Sequence, residues 1–248
     1  MLEPSEERQD RIAERIKLFR SILELADTEK KRGMRSVTTL DMKEMLKEDE
    51  HDFSIMCLGP STDVIDIYNK QLAKNVIVKE SHVETAHHNL ASSVLAVKYG
   101  EWIGLLGADT ERYSWNDILG RCGREWVSQA RFVKVSHHGS PTGSYEKLWG
   151  SIESEHCDTV VTSFFSQDLP SYEGLRPIQE KGYPIYSTNR TFALQSCKQA
   201  QHSYRPTEMY LLPNLRADPS VGEVRLAVDE TGRTEVSHSD NAGLIEVA

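Results

Sequence analysis

What this chain lacks narrows its identity first. No apolar run among its 248 residues approaches the roughly twenty needed to cross a bilayer. Its opening residues, Met1-Leu2-Glu3-Pro4-Ser5-Glu6-Glu7-Arg8, are acidic and carry neither the basic nor the apolar region of a secretory leader. The expectation is a cytoplasmic protein without a membrane partner. Cysteine is scarce: Cys57, Cys122, Cys157 and Cys197 stand far apart, and no CxxC pair builds a metal ribbon or a redox motif. Reduced thiols, several of them in the core, are expected. Positive charge is short as well, with 29 Lys and Arg against 38 Asp and Glu and a formal net charge of -9. That balance excludes broad electrostatic capture of nucleic acid by this chain alone, because phosphate binding needs a local excess of Lys and Arg. Arg121, Arg124, Arg131 and Lys134 come nearest to a basic patch, and a solvated surface of mixed charge is the favoured reading there. No internal repeat or low-complexity tract is found. A mass of 28.1 kDa and a mean hydropathy of -0.50 fit one substantial globular core with appendages.

What is present falls into two textures. Residues 5 to 32 place Ile12, Ile16, Phe19, Leu23 and Ala26 at helical spacing among charges, which predicts a long amphipathic helix stopped by Gly33. Asp41 is expected to cap a short second helix carrying Met42, Met45 and Leu46. From residue 53 strands and helices alternate. A strand over 53–58 ends at Gly59-Pro60, and Ser61 caps a helix bearing Val64, Ile65, Tyr68 and Leu72. Residues 75 to 91 read as a loop. Residues 93–99 and 102–106 flank Gly100-Glu101, a β-hairpin signal. Helices are then expected over 113–119, 144–152 and 172–181, with strands over 131–135, 159–163 and 184–187 between and after them. That rhythm implies a sheet with helices on its face. Residues 195 to 220 read as irregular, and a final hairpin joins 224–228 to 234–237 through Asp229-Glu230-Thr231-Gly232.

Chemistry concentrates at two strand ends. Phe132-Val133-Lys134-Val135 runs into Ser136-His137-His138-Gly139-Ser140, and Ile103-Gly104-Leu105-Leu106-Gly107-Ala108 runs into Asp109-Thr110-Glu111. Two strands that deliver His and Asp to one sheet edge are a means of building a hydrolytic metal site. Asp109 has a plainer alternative as a cap of the helix near Tyr113. Adjacent histidines can also simply hydrogen-bond within a loop.

The succession of hairpin, Leu-Leu-Gly-Ala-Asp-Thr-Glu, helix, strand, Ser-His-His-Gly-Ser, helix, strand, helix and strand resembles the C-terminal half of a metallo-β-lactamase fold. By texture it is similar to the metallo-β-lactamase-like domains of competence DNA-uptake channel proteins. Those domains carry N-N-S-L-V-L, then G-D-A-E, then H-H-G-S; the matching stretches here are Ala91-Ser92-Ser93-Val94-Leu95, Ala108-Asp109-Thr110-Glu111 and His137-His138-Gly139-Ser140. The resemblance covers roughly residues 53 to 190. It implies an α/β fold, the C-terminal half of an αββα sandwich: a mixed sheet with helices on its outer face and an added N-terminal helix. Residues 1–52 would form the helical extension and 53–248 the half-domain with its C-terminal hairpin.

In site terms, the resemblance implies that Asp109 bridges two divalent metal ions, zinc or manganese, and that His137 is a further ligand. His138 and Ser140 are the candidate catalytic residues that contact or position substrate; Ser140, or the amides before Ser144, would hold a phosphate oxygen. His88, within His87-His88-Asn89, lies where the superfamily often places another ligand, and a surface-loop role stands open beside it. Three departures are plain: Ala108 replaces a glycine, Leu169-Pro170 stands where relatives show His-Pro, and Thr188-Asn189 replaces Thr-Asp. The H-x-H-x-D-H run of the N-terminal half is absent from this sequence. Two functions follow as expectations. The first is a subunit of a split metal-dependent hydrolase of nuclease type, acting on phosphodiesters of nucleic acid. Its two metals would be shared with a partner chain that carries the missing half. The second is a catalytically inactive scaffold or regulatory subunit. An unrelated α/β protein is the remaining alternative.

Overall fold

A computed structural model describes residues 42–77, 88–121, 123–190, 192–194, 196–197, 222–229, 231–239 and 241–245. The helix expected over 5–32, its Gly33 stop, Asp41, Cys122, His87 and most of the stretch 195–220 lie outside the described residues.

The fold is α/β, built on one large mixed sheet of eight strands, of which the first seven pair in chain order and the eighth, near the end of the described residues, adds beside the seventh. Strand β1 (Lys43–Glu48) corrects the short helix expected around Met42, Met45 and Leu46. It pairs antiparallel with β2 (Phe53–Gly59), from Lys43 opposite Cys57 to Glu48 opposite Phe53, with a bulge between Glu44 and Leu46. Three apolar residues at helical spacing make barely one turn, too short to outweigh a backbone ladder offered by a neighbouring strand. Among the described residues the sheet therefore begins at Lys43, inside the 1–52 segment expected to be helical.

Helix α1 (Thr62–Ile77) follows β2, starting where Ser61 Oγ accepts from Val64 N. The hairpin of β3 (Val94–Tyr99) and β4 (Trp102–Leu106) forms as expected around Gly100, whose φ of +54° suits the turn. Strands β4, β5 (Phe132–Lys134), β6 (Asp158–Val161) and β7 (Ile185–Ser187) run parallel. Between them lie α2 (Arg112–Gly120) with α3 (Gly123–Ser128), then α4 (Glu146–Gly150), then α5 (Tyr172–Glu180). Parallel crossovers are right-handed, so three successive steps in one direction set these helices on one face of the sheet. The core agrees: Leu105, Val133, Val161 and Ile185 from the strands meet Trp115, Leu148, Leu175 and Ile178 from the helices.

The hairpin of β8 (Val224–Val228) and β9 (Thr234–His238) forms a separate two-stranded sheet, tied to β6 where Thr234 Oγ1 donates to Asp158 Oδ2 at 2.8 Å. Strand β10 (Gly243–Ile245) returns to pair antiparallel with β7 and closes that edge. Cys57, Cys157 and Cys197 are buried, which places several cysteines in the core as expected, and burial pushes the Cys157 and Cys197 thiols well above the ordinary value.

Candidate functional site

Four parallel strands end on one edge of the sheet, the place where open α/β sheets bind ligands. After β4, Thr110 N donates to Gly107 O at 3.1 Å and closes a tight turn with Ala108 at φ +45°. After β5 comes a 3₁₀ turn, Ser136–Gly139, in which His137 (φ 46°, ψ 46°) and His138 (φ 52°, ψ 27°) both adopt left-handed backbone. His137 N donates to Ala108 O at 2.8 Å, so the two turns are stitched together. Three non-glycine residues in the left-handed region, each costing on the order of 1–3 kcal/mol, thus converge on one strand edge. Gly139 (φ +73°) completes the turn, and its missing side chain leaves room for Pro170, Val161 and Leu175.

The strained turn aims the two histidines differently. His138 Nδ1 lies 3.0 Å from Thr162 O and 2.9 Å from Thr162 Oγ1, and its ring stacks on Phe164 with centroids 4.9 Å apart. Its Nε2 is 3.9 Å from Asp109 Oδ1. Burial lowers the His138 pKa from the ordinary histidine value, with the Thr162 carbonyl working against the shift, so the ring is neutral at pH 7. When Nδ1–H donates to the Thr162 carbonyl, Nε2 presents its lone pair on the side of Asp109. His137 instead turns Nδ1 to within 2.9 Å of Glu111 Oε1. The same oxygen accepts from Asn89 Nδ2 at 3.2 Å and Thr142 Oγ1 at 3.0 Å. Lys134, the last residue of β5, joins this edge. Burial lowers its pKa, the Asp109 charge opposes that shift, and its own charge helps to lower the His138 pKa.

Asp109 is half-exposed and is not the helix cap that offered its plainer alternative; Glu111 holds the N-cap position of α2. Two ligands about 2 Å from a tetrahedral ion lie about 3.3 Å apart, so Asp109 Oδ1 and His138 Nε2, at 3.9 Å, are near enough to share one ion after the side chains close by about half an ångström. A third ligand is not gathered with them. Among the described residues, three candidate ligand atoms within 4.8 Å of one another occur only at Glu48, Glu50 and His51, an exposed group on and after β1. The expected set of Asp109, His137 and His88 is therefore not assembled as one cluster. His88 is exposed and meets the Tyr68 ring edge-on at 6.4 Å, while its neighbour Asn89 reaches the site. Ser140, the other candidate for substrate contact, sits inside the turn. It is buried, and its Oγ accepts from Gly143 N at 3.1 Å and lies 3.2 Å from Thr142 Oγ1, so it holds the turn. Asn189, where the resemblance would call for a carboxylate, is buried and accepts from Phe192 N through Oδ1 at 2.9 Å. Leu169 is buried too.

Comparison with family models, with curated proteins and with solved structures gave no match. No helix among the described residues is long and apolar enough to cross a membrane. Sequence reasoning passed over Glu111, Asn89, Thr142, Thr162 and Phe164. Glu111 and Asn89 each stood beside a residue singled out for other reasons. The others carry no local signal, because only the sheet brings them to the edge.

Proposed function

We propose that this chain is one subunit of a split metal-dependent hydrolase acting on phosphodiester bonds. A partner chain supplies the H-x-H-x-D-H run and the other half of a metallo-β-lactamase sandwich. The observation that carries this reading is the pair of stitched, left-handed turns that bring His138 Nε2 to 3.9 Å from Asp109 at the ends of parallel strands. Backbone strain concentrated this way is a feature of functional sites. Asp109 and His138 would hold one ion, and His137 would offer a further ligand from the adjoining turn. Two divalent ions, zinc or manganese, would when bound activate water and offset phosphate charge. The chain's own groups do the rest: Thr162 orients the His138 ring, Phe164 shields one of its faces, and the Lys134 ammonium adds positive charge for an anionic substrate. A cytoplasmic setting and a nucleic-acid substrate belong to the same proposal.

The test is affinity capture of the chain from its native cells, followed by metal analysis and nuclease assay of the purified complex. A stoichiometric partner with H-x-H-x-D-H is expected. Asp109→Ala or His138→Ala in that complex should each lower activity by roughly a hundredfold or more. The rival reading, a metal-free scaffold, is favoured by Asn189, an amide in place of the expected carboxylate, whose Oδ1 accepts from Phe192 N. It wins if the partner lacks the motif and both variants assemble and function normally.

A further inference from the structure

His137 Nδ1 is enclosed by protein and lies 2.9 Å from Glu111 Oε1. The line of approach falls off the ring's N–H direction, so the contact is close without yet being an aligned hydrogen bond. A carboxylate can only accept. An enclosed nitrogen facing it is satisfied only when that nitrogen carries the proton. Glu111 is itself held by Asn89 from the turn at His88–Ala91 and by Thr142 from the loop after Ser140. On the other side, the Cβ of His137 packs against Gly143, where any side chain would collide with it at 2.6 Å.

We infer that Glu111 is a positioning residue that fixes His137 as its Nδ1–H tautomer and leaves Nε2 as the free donor, with Asn89 and Thr142 clamping the carboxylate. A small ring rotation would align the Nδ1–H with Oε1. The clamp also gives the His88–Ala91 turn a place in the site through Asn89 rather than through a histidine. That Nε2 is offered to a metal rests on the hydrolase reading; the tautomer does not.

The experiment is a long-range proton–nitrogen correlation spectrum of the full, metal-free chain with nitrogen-labelled histidines, the His137 signals being identified by their loss in His137→Asn. Wild type is expected to show His137 almost wholly as Nδ1–H. Glu111→Ala should move it to a mixture with a large Nε2–H share, whereas Glu111→Gln keeps a carbonyl acceptor and should restore the Nδ1–H form. Unchanged circular dichroism establishes that the variants are folded. A majority of Nε2–H in wild type, or a tautomer indifferent to Glu111→Ala in a folded chain, overturns the clamp. Zinc titration of the partner-bound complex reads the consequence, with Glu111→Ala weakening affinity by roughly ten- to a hundredfold and Glu111→Gln by less. A wild-type complex that binds no zinc counts against the hydrolase reading alone, since the spectrum has already decided the tautomer.

Discussion

Ser136 stands one residue before the paired histidines and turns its hydroxyl inward, where it accepts from Trp115 Nε1 at 3.2 Å. Trp115 is fully buried, so Ser136→Ala leaves an indole N–H without a partner. A loss of about 1–3 kcal/mol is expected, measured by urea unfolding followed through tryptophan fluorescence. His138 carries a pH signature of its own. Its folded pKa lies below the ordinary 6.5, so the unfolded chain takes up its proton first as pH falls. Stability from the neutral ring is complete above the unfolded value and is lost as pH drops from there through the folded value. Between pH 7.5 and 5 the metal-free wild type should therefore lose more stability than His138→Asn; equal losses in paired urea titrations would sink the idea. Asp109 and His138 were both legible as site candidates from the two strand-end motifs. Which histidine faces Asp109 was not. Two consecutive left-handed residues redirect side chains in a way that residue spacing does not encode.

The strands differ in how openly the sequence announced them. The β3–β4 and β8–β9 hairpins read plainly, because each joins two strand-like runs through a glycine-bearing turn. Strand β1 was hidden, since Lys43, Glu44, Lys47 and Glu48 look like a solvated helix and become strand only beside β2. Those charges suit its place, because charged side chains on an edge strand discourage pairing with other chains. Strand β10 was hidden for the opposite reason: three residues carry no periodicity. It nevertheless buries Ile245 and pairs along β7, with Ala242 buried just before it and Asn241 O accepting from Arg190 N at 2.9 Å. Ending the chain at Ser239 removes one large buried side chain worth about 1.5–3 kcal/mol and uncovers that edge. A lower urea midpoint and concentration-dependent light scattering are expected, and a truncated chain as stable and monodisperse as the full one would contradict the role given to β10.

At the scale of the molecule, the formal net charge of -9 limits what the chain does alone. Isolated, it should not shift the anisotropy of labelled DNA at micromolar protein and physiological salt, because few phosphates can be neutralised. Binding that appears only when the proposed partner is added would place the missing positive charge on it; retention by this chain alone would contradict the charge argument. The order of the large sheet also has a consequence in time. From β1 to β7 each strand pairs with the one made just before it, so that much of the sheet can assemble as the chain lengthens. Then the pattern breaks. The cover for β7 arrives only after about sixty further residues, including the whole β8–β9 hairpin. At synthesis rates of about 5–20 residues per second, the newborn protein spends roughly 3–12 s with the backbone of β7 bare on one side. That interval, rather than anything in the finished molecule, is when a chaperone or a partner strand would find its opening.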